Sequence, residues 1–203
     1  MKNKEKTIQI VLTGVFAAVL AVLSQISIPM PTGIPVTLQT FAVALCGYAL
    51  GWKRGLLAVA VYTALGLVGL PVFSGFSGGV GSVLGMTGGY IWGFLPMAAL
   101  CGAGLKRRRR PMALLFGALG LAVCHLLGTV QFAGASGRGV LEAFLLASAP
   151  YLVKDVLSVA AAYGAAAALQ LSLKKSGFKP ASGFAGGVRA NFETPLFFLH
   201  FLV

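Results

Sequence analysis

In a chain this apolar, ionisable side chains away from the ends are the first places to look for chemistry, and His125, Lys154 and Asp155 are the candidates. A charge inside a bilayer costs several kcal/mol, so such groups are functional candidates by default. Asp155 can accept hydrogen bonds from two N–H groups, whereas the Lys154 cation suits a carboxylate. Neighbours on a helix stand about 100° apart, so one of the pair is expected to face a pocket and the other to pack or snorkel. A local interfacial salt link is the alternative reading. A different chemistry is nucleophilic: Gly75-Phe76-Ser77-Gly78-Gly79 fits G-x-S-x-G, with His125 as a conceivable base. That motif is short enough to arise by chance among 28 glycines, and no strand-turn-helix context surrounds it. His125 is expected near mid-bilayer, apart from Ser77, so catalysis is not expected.

The glycine-dense run from Leu70 to Gly79, followed by Gly85 to Tyr90, reads as a ligand-capping loop. Glycines such as Gly78 and Gly79 let backbone approach a bound molecule closely. Phe73, Phe76 and Tyr90 supply apolar faces; Ser74, Ser77 and Thr87 supply hydroxyls. Gln39 and Thr37 are expected at the outer end of a helix, where an amide must find partners. Helix capping is the other reading of Thr37, and the aromatic belt of Tyr90.

The elements that must position these groups follow from composition. Hydrophobic residues make up 58% of the 203 and charged residues 10%, whereas soluble domains are about a quarter charged. Uncharged spans run over Ile8–Ile26, Val36–Leu50, Gly55–Leu70, Val83–Gly104, Met112–Ala133 and Val156–Leu173. As helices the first and fifth are roughly 29 and 33 Å long, enough for a hydrocarbon core of about 30 Å; the second and third are shorter. Pro150 is expected to break the apolar lead-in from Ala143 away from the last helix.

The net charge of +12 could indicate nucleic acid, but the basic residues cluster at alternate junctions, which a phosphate-binding face would not require. Lys2, Lys4 and Lys6 precede the first span, Lys53 and Arg54 follow the second, Lys106 to Arg110 follow the fourth, and Lys174, Lys175, Lys179 and Arg189 follow the sixth. The positive-inside rule then makes both termini cytoplasmic and the glycine-rich loop extracytoplasmic. The Lys106 to Arg110 run is read as a topology anchor rather than a lipid or partner site. The first span exceeds the usual signal-peptide core and is expected to be retained. Cys46, Cys101 and Cys124 are odd in number and widely spaced, so neither a disulfide framework nor a metal site is indicated.

The run Ile28-Pro29-Met30-Pro31 through Pro35-Val36-Thr37-Leu38-Gln39-Thr40, with the glycine-rich run, closely resembles the BioY family over about Ile8 to Leu173. Its members are biotin-specific S components of energy-coupling-factor (ECF) transporters. The resemblance implies an all-α membrane protein, a six-transmembrane-helix bundle of the S-component type with cytoplasmic termini. Residues 1–175 would form the substrate-binding domain; residues 176–203 lie beyond the resemblance and are read from their composition as a flexible or interfacial cytoplasmic tail. It implies a multi-pass protein of a prokaryotic plasma membrane that is not an enzyme and has no cofactor. Its partners would be biotin, the lipid bilayer, a transmembrane coupling subunit and two ATPase subunits that use the ATP, with no nucleic acid. This chain itself has no G-x-x-x-x-G-K-[ST] phosphate loop.

Residue by residue, Pro150 and Asp155 match the family's Pro-x-x-x-x-Asp setting, which assigns Asp155 to the ureido ring. Many members carry a lysine three positions after the acid; here Ser158 stands there, so Lys154, or hydroxyls and water, would hold the biotin carboxylate. Ser77 falls where some members place asparagine, and Phe73, Phe76, Tyr90, Gln39, Gly78 and Gly79 complete the expected site. Gly14, Ala17, Ala18 and Ala21 form a small-residue strip on the first helix that, by the resemblance, docks the coupling subunit; packing within the bundle is the alternative. An S component for another vitamin remains the alternative function, although thiamine or riboflavin would call for more aromatic or acidic groups than these loops carry.

Overall fold

A long apolar stretch in a low-dielectric surrounding must satisfy its own backbone, and helix is the local solution. The computed structural model describes residues 2–30, 34–105 and 109–175. Helices α1 (Lys2–Ser24), α2 (Gln39–Leu50) and α3 (Trp52–Leu67) come first, then a short α4 (Val80–Leu84) and α5 (Gly88–Gly104). After them come α6 (Arg110–Ser136), a short α7 (Val140–Ala147) and α8 (Leu152–Lys175). Each of the six uncharged stretches therefore carries a helix, with α4 and α7 in the connections. By length and composition, Lys6–Ser24, Arg110–Ser136 and Val140–Ser172 are long and apolar enough to cross a membrane.

Among the boundaries that differ from the uncharged spans, two bear on the site. The second helix starts at Gln39 rather than Val36, because β2 (Val36–Thr37) pairs antiparallel with β1 (Ser27–Ile28), Ser27 opposite Thr37. The last helix starts at Leu152, ahead of the uncharged span from Val156, so Lys154 and Asp155 lie in its first turn. Pro150 favours this start: it sits in the 3-10 turn Ala149–Tyr151, and a proline, lacking its N–H, is best accommodated where a helix begins. The expected tail from Ser176, with Lys179, Arg189 and the closing Leu196 to Val203, lies outside the described residues, as do Pro31 and Lys106 to Arg108.

Unlike a soluble protein, the bundle is apolar on its outside as well as in its core. Val11, Val15, Val19 and Val22 of α1, Leu115, Leu119 and Leu126 of α6, and Val153, Val156 and Leu157 of α8 are exposed. Such an apolar belt, far larger than the patches soluble monomers tolerate, fits a lipid surrounding. At the centre stands α2, buried along nearly its whole length and packed on α1, α3, α5 and α8. Its Tyr48 is fully buried, and the hydroxyl donates to Ala113 O at 3.0 Å, tying α2 to α6.

Without a hydrophobic force between helices in lipid, association depends on close backbone approach through small residues. The α5–α6 pair is built this way: a Cβ added at Gly93 would lie 2.7 Å from Cys124 Cα, and one at Gly120 would lie 3.1 Å from Met97 Cα. Gly93→Val is therefore expected to lower the apparent melting temperature in detergent by several degrees. Gly134→Ala, on the same helix as Cys124 but with nothing within 4 Å of its added Cβ, should leave it unchanged. Thermal unfolding followed by tryptophan fluorescence checks both, and equal behaviour of the two variants would contradict the close-approach account.

Candidate ligand-binding site

The start of α8 gathers the ionisable groups. Tyr151 donates through its hydroxyl to Ile34 O at 2.6 Å, and Lys154 Nζ donates to Thr37 O at 2.9 Å, so the β1–β2 hairpin is pinned over the first turn of α8. Lys154 also forms an ion pair with Asp155 Oδ1. From α6, His125 Nε2 lies 3.1 Å from Asp155 Oδ2. Asp155 and His125 are each 5% exposed, so the carboxylate is removed from water and its charge is met by protein groups.

These groups line a cavity of about 300 Å³, at the small end of the range for small-molecule sites. The apolar wall is Ile34, Phe73, Tyr90, Ile91, Phe94 and Leu121; Thr37, Gln39, Thr40, Ser74, Ser77 and Thr87 add polar groups. Two buried polar atoms of lining residues have no hydrogen-bond partner, Ser74 Oγ and His125 Nδ1, whereas Asp155 Oδ1 is met by the Lys154 ammonium. Native interiors rarely leave such atoms unmet, so their convergence on one cavity marks it as a place for a polar ligand.

Of the residues expected from sequence, Asp155, Lys154, Ser77, Tyr90, Gln39 and Phe73 line this cavity. Lys154 and Asp155 were expected to diverge; both reach the cavity, because the long lysine side chain folds back to Thr37 and the carboxylate. His125 was expected away from the outer loop and instead shares the cavity with Ser77. Phe76, Gly78 and Gly79 are not among the lining residues: Phe76 is 72% exposed, and Gly78 packs against the Gly69 and Leu70 backbone. Gly79, at φ +86°, donates its N–H to Gly66 O at 2.6 Å and returns the loop onto the end of α3. On α1, Ala17 is buried and Ala21 packs on the core, whereas Gly14 and Ala18 are exposed, so the strip divides between two faces.

Sequence reasoning missed several positioning groups. Tyr90 spends its hydroxyl on Ala147 O at 2.6 Å and Ser148 Oγ at 2.8 Å, and Thr129 joins Ser148 at 2.9 Å, fixing α7 against α5 and α6. Gln131 Nε2 donates to Val83 O and Gly85 O, holding the α4 segment on α6. Gln25 does the same for the cover loop: its Nε2 donates to Val72 O and Phe73 O, both at 3.1 Å, and its Oε1 accepts from Phe76 N at 2.9 Å. The available signal was a set of polar side chains inside or at the edge of apolar spans, with His125 and Thr129 one helical turn apart.

Residues 1–175 match the sequence profile of the BioY family. The chain belongs to the BioY family. It is 41% identical over 170 residues to the "Probable biotin transporter BioY" of Pyrococcus horikoshii, covering 84% of this chain and 98% of that one. It is 43% identical over 122 residues to the "Biotin transporter BioY" of Thermotoga maritima, 59% of this chain and 71% of that one. A crystal structure described as the S-component for biotin from an ECF-type ABC transporter superposes with a TM-score of 0.77 at 26% identity, over 91% of this chain and 97% of the other. These BioY relatives are named transporters, and Ser77 Oγ donates to Ser74 O at 2.9 Å rather than to a general base.

The Gln25 clamp generates a prediction for the cover loop of this BioY protein. Phe76 holds a left-handed φ of +56°, unusual for a bulky residue, and Gln25 fixes its amide. In Gln25→Ala, hydrogen–deuterium exchange of residues 72–77 should accelerate by at least about tenfold while α5 is unaffected. Unchanged exchange in that segment would show that Gln25 does not hold the loop.

Proposed function

We propose that this chain is the substrate-specific subunit of a vitamin importer, taking up biotin at an outward-facing cavity and delivering it inward with a separate ATP-driven ECF coupling module. The observation that carries the reading is the buried, already partnered carboxylate of Asp155 beside unmet polar atoms in a cavity of ligand size, in a member of the BioY family. A cyclic urea offers two N–H donors and one carbonyl acceptor; Asp155 Oδ1 accepts from one N–H, and the apolar bicycle rests on Phe73 and the Tyr90 ring. Lys154 stands on the hairpin side of the cavity, 29% exposed at its side chain, where it can meet the valerate carboxylate.

The same reading makes the fold a six-helix transmembrane bundle of the S-component type in a prokaryotic plasma membrane. Helices α1, α2, α3, α5, α6 and α8 cross, both termini are cytoplasmic, and the cover loop faces out, a topology supported by the alternation of basic junctions. The exposed Gly14 and Ala18 on α1 offer the close-approach surface for the transmembrane coupling subunit, and two ATPases supply the energy. Nanomolar capture requires about 12 kcal/mol, which calls for the Gln25-clamped loop to close over the cavity once ligand is bound.

Calorimetry on the purified chain in detergent tests the proposal. Biotin is expected to bind below micromolar Kd and thiamine not at all, with Asp155→Asn weakening biotin at least tenfold. Absence of biotin binding by a folded sample would overturn the biotin assignment and favour another vitamin.

A further inference from the structure

Resting on the biotin reading, we infer that His125 is a direct ligand contact: its Nδ1 accepts one N–H of the cyclic urea while Asp155 accepts the other. An ionised carboxylate has only lone pairs, so the proton between Asp155 Oδ2 and His125 Nε2, 3.1 Å apart, belongs to the imidazole. The Lys154 ammonium already balances the carboxylate, so the neutral ring leaves this buried cluster without excess charge. A neutral ring protonated at Nε2 carries a lone pair at Nδ1.

That lone pair is buried and unmet. The described donors beside it on α5 and α6 are engaged elsewhere. Tyr90 packs edge-on to the imidazole at 5.8 Å, but its hydroxyl is engaged by Ala147 and Ser148; the Thr129 hydroxyl joins Ser148, and Cys124 Sγ contacts Tyr90 O. The remaining source of a donor is the cavity that the imidazole lines. Asp155 thereby has a second role, since the bond it receives from Nε2 fixes the tautomer that makes Nδ1 an acceptor.

Two measurements test this. In His125→Gln the amide nitrogen replaces Nε2 and keeps a donor for Asp155, but the acceptor at Nδ1 is lost. Biotin should bind at least tenfold more weakly to this variant. The two N-methylbiotin isomers, each lacking one ring N–H, separate a contact from a structural role: the wild-type chain should reject both, and His125→Gln should bind one of them within threefold of biotin. Equal weakening of biotin and both isomers, or unchanged biotin binding, overturns the inference. On the wild-type chain, ring-15N-histidine NMR gives an independent reading, because His125 and His200 are its two histidines. Biotin should move the unprotonated Nδ1 resonance of His125 upfield; no movement in a biotin-saturated sample overturns the inference. If the wild-type chain binds no biotin at all, the functional reading fails first and takes this inference with it.

Discussion

A carboxylate withdrawn from water must be met on every side, and the requirements of Asp155 organise the cavity end of this molecule. Its partners are Lys154, its neighbour on α8, and His125 from α6, while Lys154 also ties the hairpin through Thr37. Tyr151, one turn ahead, ties the same hairpin through Ile34. The cluster thus draws α6, α8 and the hairpin to one point and leaves polar atoms facing a cavity. An apolar replacement would pack there more easily, so a charge retained at this depth points to function rather than stability.

The rest of the fold makes that cluster possible. Close approach at Gly93 and Gly120 brings α5 and α6 together, and the same pair carries Tyr90 and His125 into edge-to-face contact. Over the open side, backbone that would otherwise lack partners is held by two glutamines, Gln25 on the loop after α3 and Gln131 on the α4 segment. Each glutamine amide satisfies two carbonyls, which lets an irregular connection remain folded against the helices instead of fraying. The loop is therefore held by side chains as well as by its own glycines.

Much of this was legible in the residues. Uncharged stretches located the helices because charge is what a bilayer excludes most strongly, and the rarity of interior ionisable groups singled out Asp155 and Lys154. Helix starts were less legible: Val36 and Thr37 are uncharged but enter a hairpin, and only pairing with Ser27 and Ile28 decides that. Side-chain reach also escaped the reading. Lys154 was assigned by helical angle alone, although four methylenes let it turn back to the cavity. His125 was assigned by depth in its span, although the cavity extends down to it. Phe76 was grouped with the aromatic faces by composition, whereas its left-handed backbone turns it outward. Each miss has the same cause, namely that one-dimensional position does not give direction.

The most direct test of the central claim is an experimental structure of the chain with biotin bound. The account predicts the ureido ring in the cavity with a nitrogen within hydrogen-bond distance of Asp155 Oδ1 and the bicycle against Phe73 and Tyr90. Biotin held elsewhere, or in the cavity with its ureido ring directed away from Asp155, would contradict it.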